Sequence, residues 1–384
     1  MVNRLERAIL VGICHARRDR PEVEDHLLEL GLLAETAGAV VTDTVIQDRG
    51  PVHPATLLRR GKVDELARLA GEHDADLVIF DDDLSPAQVR NLAGAIPAKI
   101  LDRSALILDI FARRARTREA RTQVELAQLR YLLPRLTRQW THLSRQVGGI
   151  GQRGVGETQL EIDRRIIRSR IARLSSELQG IEKERGERRK RRSGLSRVAL
   201  AGYTNAGKST ILNLLTGAGS RVENRLFVTL DALVRRCERG GRPPFLVIDT
   251  VGFIRKLPHH LVASFRSTLE EATDADLLVH VVDAAAGSYE DQMTTARSTL
   301  AELGLSDYPT LLVFNKIDLA AAGVVSRLRM EQPEAFFMSA IDPSHADRLE
   351  NRVRAALQFG RRAPLFEPPP ARGPLAALGR GSGA

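Results

Sequence analysis

The feature that most constrains this chain is Gly202-Tyr203-Thr204-Asn205-Ala206-Gly207-Lys208-Ser209. It follows the apolar Val198-Ala199-Leu200-Ala201 and leads into Thr210-Ile211-Leu212-Asn213-Leu214-Leu215. Strand, glycine loop and helix in that order make a phosphate-binding loop. Its two glycines let the backbone curl until successive N–H groups and the helix N-terminus aim at one anion. Lys208 can then reach the β- and γ-phosphates, and the Ser209 hydroxyl is placed to hold Mg²⁺. A glycine-rich turn with an exposed lysine is the competing reading, and the flanking strand and helix disfavour it.

The other parts of a nucleotide switch come in order along the chain. Phe245-Leu246-Val247-Ile248 reads as a buried strand ending in Asp249-Thr250-Val251-Gly252, where the aspartate can hold Mg²⁺ through water and the Gly252 N–H can contact a γ-phosphate. Between lies Leu226-Phe227-Val228-Thr229-Leu230-Asp231, with Thr229 as the candidate switch threonine that completes the Mg²⁺ shell when the γ-phosphate is present. A further strand, Leu277 to Asp283, contains a lone His280 that reads as a core or edge histidine. His259 and His260 read as surface residues, since no carboxylate or cysteine has matching ligand spacing.

Thr310-Leu311-Leu312-Val313-Phe314 then leads into Asn315-Lys316-Ile317-Asp318. Asp318 can accept two hydrogen bonds from guanine N1–H and the 2-amino group, which adenine cannot offer, so discrimination is expected to be large. Phe336-Phe337-Met338 supplies a last strand, and Ser339-Ala340-Ile341 after it brings a backbone donor to the base. The expected catalytic residues are Lys208, Thr229 and Gly252, and the expected Mg²⁺ ligands are Ser209, Thr229 and Asp249. All eight loop residues and the segments 227–231, 249–252, 315–318 and 339–341 are expected to bind GTP. After Gly252 stands Phe253, where Ras-like enzymes keep a glutamine that orients the attacking water. An apolar ring cannot do that, so slow intrinsic hydrolysis that a partner accelerates is the expectation.

At 384 residues the chain is expected to divide into two or three domains. Two cysteines, Cys14 and Cys237, are too few for a disulfide framework, and no apolar run reaches membrane-spanning length. A cytoplasmic, monomeric protein without membrane insertion is the expectation. Charge is unevenly placed: Phe111 to Arg197 carries 23 Lys or Arg against 9 Asp or Glu, a net +14, while the whole chain is +9. That block suits a polyanionic partner such as nucleic acid, with a solvated helical surface rich in arginine as the less favoured alternative.

The first hundred residues alternate in the βα manner, which predicts a small parallel sheet covered by helices. Asp81-Asp82-Asp83 comes just after one strand end, and reads either as a metal site or as capping and solvated loop residues, the second being favoured. Leu126, Leu129 and Leu133 form a stripe ending at Pro134. Leu160, Ile167, Leu174 and Ile181 recur every seven residues with Ile171 and Leu178 between them, so two helices are expected to pack as an antiparallel hairpin. Its connection, Arg135 to Val155, places Trp140 among arginines, either as a base-stacking residue or as a tryptophan packed at a helix end. The resulting class is α/β: an N-terminal parallel domain over residues 1–104, a helical hairpin over 105–194, a mainly parallel GTP-binding domain over 195–360 and a disordered tail over 361–384.

Beyond the shared nucleotide motifs, the chain resembles the HflX family of translation-related GTPases. The resemblance rests on Asp81-Asp82-Asp83-Leu84-Ser85-Pro86-Ala87-Gln88, on Gln123 to Leu136 and on Gly156-Glu157-Thr158-Gln159-Leu160-Glu161-Ile162-Asp163-Arg164-Arg165, and covers about residues 5 to 355. It implies a GTPase that engages the large ribosomal subunit and its rRNA and splits or rescues stalled ribosomes under stress. It also implies Asn205 as a K⁺ ligand. Val155 departs from the family's usual proline, and the Pro/Gly-rich tail stands where many relatives have a further domain. Two rival readings are a nucleotide-gated RNA-binding module without remodelling activity and an ATP-driven rRNA remodeller. The Asn315 to Asp318 motif disfavours the second.

Overall fold

The computed structural model describes residues 4–14, 19–48, 50, 52–136, 155–190, 194–219, 226–227, 232–239, 241–256, 273–302 and 304–359. The N-terminal part is a four-stranded parallel sheet of β1 (Glu6–Ile13), β2 (Ala39–Gln47), β3 (Leu77–Phe80) and β4 (Lys99–Asp102) in the order β2-β1-β3-β4. Helices α1 (Arg20–Ala37), α2 (Arg60–Glu72), α3 (Pro86–Ala95) and α4 (Arg103–Arg114) join and flank these strands. Local chemistry fixes their ends. The Asp19 side chain accepts from the Glu22 N–H to start α1, and Ser85 and Gln88 form a capping box around Pro86 at the start of α3. α1 stops at Gly38, whose φ of 91° suits glycine.

The C-terminal part is a six-stranded sheet in the order β10-β9-β8-β5-β7-β6. β5 (Arg197–Gly202), β7 (Phe245–Asp249), β8 (Leu277–Asp283), β9 (Thr310–Asn315) and β10 (Phe336–Phe337) are parallel; β6 (Leu233–Cys237) runs antiparallel to β7 at one edge. That edge strand is not signalled by the sequence pattern. It arises from hairpin pairing with β7, in which Cys237 faces Phe245 and Leu233 faces Asp249. Helices α7 (Lys208–Thr216), α8 (Tyr289–Glu302), α9 (Ala322–Glu331) and α10 (His345–Phe359) complete the described part of this unit.

Alternation along the strands sorts side chains to opposite faces. Ile9, Val11 and Ile13 enter a core closed by Leu66, Phe80 and Leu92. Val198 and Leu200 enter another with Ile211, Leu212 and Val247. The other faces merge: Ala8, Leu10, Leu27, Leu30 and Phe111 share one buried cluster with Ala199, Ala201, Tyr203, Phe227 and Phe253. The two sheets are thus joined through a continuous apolar core. The ring of Phe111 meets that of Phe227 edge-on at 4.6 Å.

α5 (Arg118–Leu136) and α6 (Val155–Lys190) pack as the expected hairpin, with Leu126 against Leu174 and Leu178 and with Leu129, Ile171 and Ile181 beside them. Arg118 pairs with Glu177 and Arg170 with Glu125, a register that runs antiparallel. Unlike the sequence reading, α5 continues past Pro134 to Leu136. Its last turn is held from outside: the Arg135 guanidinium lies 3.4 Å over the Tyr131 ring and donates to Asp102 at 2.9 Å and to the Leu84 carbonyl at 2.8 Å. The connection bearing Trp140 lies outside the described residues.

Candidate active site

Because β5, β7, β8, β9 and β10 are parallel, their C-terminal ends bring the sequence motifs to one edge. β7 lies to one side of β5 and β8 to the other, which puts a topological switch point beside the phosphate loop, the position where such sheets bind ligands. Gly207 has a φ of 96°, and a Cβ there would collide with Asn315 Nδ2. Only glycine lets the loop pass this close beneath Asn315. In turn, Asn315 Nδ2 donates to the Ala206 carbonyl at 2.8 Å, and its Oδ1 accepts from the Ala340 N–H at 2.9 Å. One buried amide therefore ties the phosphate loop to the two segments expected to read the base.

Lys316, at a φ of 60°, places Nζ 2.7 Å from Asp283 Oδ2. The Ile317 N–H donates to the Met338 carbonyl, and Asp318 and Ile341 are exposed at the same edge while Ser339 and Ala340 are buried. Asp318 is thus open to solvent at the edge where a base is expected to dock.

At the phosphate end, Lys208 is buried and donates to the Gly202 and Tyr203 carbonyls at 3.0 and 2.7 Å. Burial brings its pKa down to about 8, against the opposing pull of Asp249. Ser209 Oγ donates to Asp249 Oδ2 at 2.6 Å. A hydroxyl and a carboxylate meeting at one point are hard oxygen donors of the kind Mg²⁺ takes, so these residues fit the ion the sequence predicts. Thr250 is buried and donates to the Leu200 carbonyl, and Val251 is buried beside it. Asn205 is exposed at a φ of 62°.

Gly252 packs against the loop. A Cβ on it would sit 2.7 Å from Thr204 Cα, 2.8 Å from Thr204 Cγ2 and 3.0 Å from Lys208 Nζ, so glycine is required by the close approach. The next residue pairs with the loop as well: the Thr204 N–H donates to the Phe253 carbonyl at 2.7 Å and the Phe253 N–H to the Gly202 carbonyl at 3.0 Å. The Phe253 ring, 2% exposed, is in the shared apolar core. Phe227, among the expected switch residues, has its ring in that core too. Val228, Thr229, Leu230 and Asp231 lie outside the described residues, as do His259 and His260.

Sequence reasoning missed the role of Arg255 and Lys256. Arg255 N donates to the Tyr203 hydroxyl at 2.7 Å and its guanidinium to Asp25 at 2.9 Å. Lys256 pairs with the Asp81 carboxylate, and donates to the Asp81 carbonyl at 3.1 Å and to Asp82 at 2.9 Å. Tyr203 donates to Glu29, and the buried Arg103 pairs with Glu29 and with Asp81, the latter at 2.8 Å. Burial alone would push the Asp81 carboxyl up, yet His26, Arg103 and Lys256 together hold it far below the usual carboxylate range. Burial, then Glu29, pushes the Tyr203 phenol well above its ordinary value.

Asp81 is therefore neither a solvated loop residue nor part of a metal cluster. Among the described residues, no group of three or more His, Cys, Asp or Glu is placed to hold a metal. Asp81 stands just beyond β3, beside the point where the order β2-β1-β3-β4 reverses direction, and the Lys256 ammonium pairs with it there. The one local signal was the Arg255-Lys256 pair ending an apolar run. Its partners lie too far along the chain to be read by spacing.

The strand-edge motifs, the Ser209–Asp249 pair and the Asn315-Lys316-Ile317-Asp318 motif define a P-loop GTPase whose phosphate loop and the segment after Gly252 are docked on an N-terminal α/β unit. Three family models match: GTP-binding GTPase N-terminal over residues 24–112, GTP-binding GTPase Middle Region over 114–192 and 50S ribosome-binding GTPase over 197–316. A GTPase HflX of Lacrimispora saccharolytica is 50% identical over 324 residues, spanning 84% of this chain and 76% of that protein. That of Escherichia coli (strain K12) is 46% identical over 316 residues, spanning 82% and 74%. Among solved structures, a protein called SsGBP in complex with GDP aligns over 92% of this chain and 99% of its own, with a TM-score of 0.52 at 23% identity, a likeness of fold. The chain belongs to the GTPase HflX family, and hydrolysis of GTP is its activity.

Proposed function

We propose that the chain is a cytoplasmic, monomeric GTPase that engages the large ribosomal subunit and its rRNA in the GTP-bound state and splits or rescues stalled ribosomes under stress. The observation that carries this reading is the stretch Phe111 to Arg197, of net +14 and containing the hairpin, between the N-terminal sheet and the GTPase unit, in a chain whose nucleotide domain matches a 50S ribosome-binding GTPase model. A basic block of that size suits the phosphates of rRNA. Among the described residues, no helix is long and apolar enough to cross a membrane. The organisation proposed is the N-terminal unit over 1–104, the hairpin over 105–194, the GTPase unit over 195–360 and the tail over 361–384.

In hydrolysis, the loop amides and Lys208 hold the β- and γ-phosphates, and the Gly252 N–H, beside Lys208 Nζ, meets the γ-phosphate. Ser209, Asp249 and Thr229 would hold Mg²⁺, which supplies charge neutralisation on the phosphates when bound. Asn205, exposed on the loop, is the proposed K⁺ ligand. With the Phe253 ring in the core, intrinsic hydrolysis is slow and contact with the subunit accelerates it. Single-turnover GTP hydrolysis with and without purified large subunits tests this: a marked acceleration is expected, and equal fast rates would overturn it.

A further inference from the structure

Each residue from Asp81 to Leu84 is bonded to a side chain outside that run. Asp81 pairs with Lys256 and Arg103, and Asp82 pairs with Lys256 at 2.9 Å. Asp83 accepts from the Ser104 hydroxyl. The Leu84 N–H donates to Asp102 Oδ2 at 3.2 Å, and the Leu84 carbonyl accepts from the Arg135 guanidinium at 2.8 Å. The run therefore connects the segment after Gly252 to the last turn of α5. Its two ends are three peptide links apart, a span of at most about 11 Å.

The α5 end of the run is tightly held. Asp102 is fully buried; its Oδ1 accepts from the Tyr131 hydroxyl and the Ala105 N–H, each at 2.8 Å, and its Oδ2 accepts from Arg135 at 2.9 Å. Leu84 is buried as well, and close-packed interiors of this kind pass strain from one group to the next. A displacement at Asp81 and Asp82 is thus carried to Arg135.

The other end contains a strained joint. Between Gly252 and Lys256 the chain is pinned at Phe253, whose N–H and carbonyl both bond to the phosphate loop, and at Arg255, whose N–H donates to the Tyr203 hydroxyl. Lys256 has a φ of 51°, a left-handed conformation that costs a non-glycine residue about 1–2 kcal/mol. Its bonds to the Asp81 carboxylate, the Asp81 carbonyl and Asp82 hold it there. Coupling between distant sites needs an element with two discrete arrangements. Lys256 is such an element, strained while bonded to the run and relaxed once released. It lies four residues after Gly252, whose N–H is the group proposed to meet the γ-phosphate.

We propose that Asp81 to Leu84 is a mechanical link that carries the nucleotide state from Lys256 to Arg135, so that binding of the γ-phosphate resets the last turn of α5. Such a link rests on the reading above, in which Gly252 meets the γ-phosphate and the hairpin engages rRNA, and it supplies the regulation of that hairpin.

The test uses the full chain. Its single tryptophan, Trp140, follows Arg135 by five residues, so tryptophan emission reports on that end of the hairpin. Emission is recorded with GDP and with a non-hydrolysable GTP analogue for wild type, Lys256→Met and Arg135→Met. Saturable binding of both nucleotides shows that a variant is folded. Arg135→Lys, which keeps the charge and loses the fork that reaches both Leu84 and Asp102, replaces Arg135→Met if the latter fails that check. Expected are a difference in emission between the two nucleotides in wild type and loss of that difference in the variants. Lys256→Met is decisive, because the bonds of Lys256 are to Asp81 and Asp82 and none is to α5. Equal emission in both nucleotides for wild type, or a difference that persists in Lys256→Met, would overturn the proposal. The measurement contains no ribosome, so it can fail while ribosome engagement stands, and the reverse.

Discussion

Arg103 is the largest fully buried side chain described, and it lies between the two carboxylates of Glu29 and Asp81. Burial by itself would lower its pKa, and those two anions more than reverse this. Arg103→Met keeps the apolar stem and removes the shared cation, leaving two buried carboxylates facing the same space. Breaking such an arrangement from one side costs about 3–5 kcal/mol. Asp81 keeps Lys256 and Glu29 keeps the Tyr203 hydroxyl, so the cost belongs at the lower end, about 3 kcal/mol.

At the usual conversion for units of this size, that loss lowers the thermal midpoint by roughly 6–12 °C. Differential scanning calorimetry at pH 7 measures it. Adding Glu29→Gln to Arg103→Met removes one of the stranded charges and is expected to recover at least half of the loss. A shift below about 1 kcal/mol, within the range of an exposed ion pair, would mean that Arg103 does not hold two buried charges together. So would a double variant no better than the single one, because either result would mean that Glu29 and Asp81 are solvated.

Three other outcomes are expected from the site. Asp318→Asn removes the acceptor for guanine N1–H and the 2-amino group and is expected to lower GTP affinity by about 10³-fold or more while binding of xanthosine triphosphate rises, measured by nucleotide competition. Lys208, with its pKa near 8, is largely neutral at pH 9, and the negative phosphates raise that pKa on binding; nucleotide binding at pH 9 is therefore expected to take up a proton, seen as a buffer-dependent heat in titration calorimetry. Burial, with Arg297 and Lys208 adding positive charge nearby, brings His280 down to about 4, below its ordinary 6.5. The unfolded chain then binds this proton more readily, so stability falls as pH drops from 6.5 to 4 by roughly 3 kcal/mol, and His280→Leu is expected to flatten that slope in thermal melts.

What the sequence made legible was chemistry confined to short segments. The loop from Gly202 to Ser209, Asp249 to Gly252 and Asn315 to Asp318 each carry their function in residue type and spacing, and a parallel sheet gathers them automatically. The βα alternation and the hairpin seam were readable for a similar reason, since periodicity reports a buried face. Asp81 was not. Its burial depends on Lys256, 175 residues away, and on Arg103, so a run of three aspartates after a strand looked solvated. Phe253 showed what it could not do, while its actual place in a core shared by two sheets required both sheets to be in position.

The proposed function requires the GTP-bound GTPase to engage the ribosome through its large subunit. Sedimentation of intact ribosomes with the full chain, in the presence of a non-hydrolysable GTP analogue or of GDP, tests it most directly. With the analogue the protein is expected to migrate with large subunits while free subunits accumulate, and with GDP to stay at the top of the gradient. Equal migration in both nucleotides, or none in either, would contradict it.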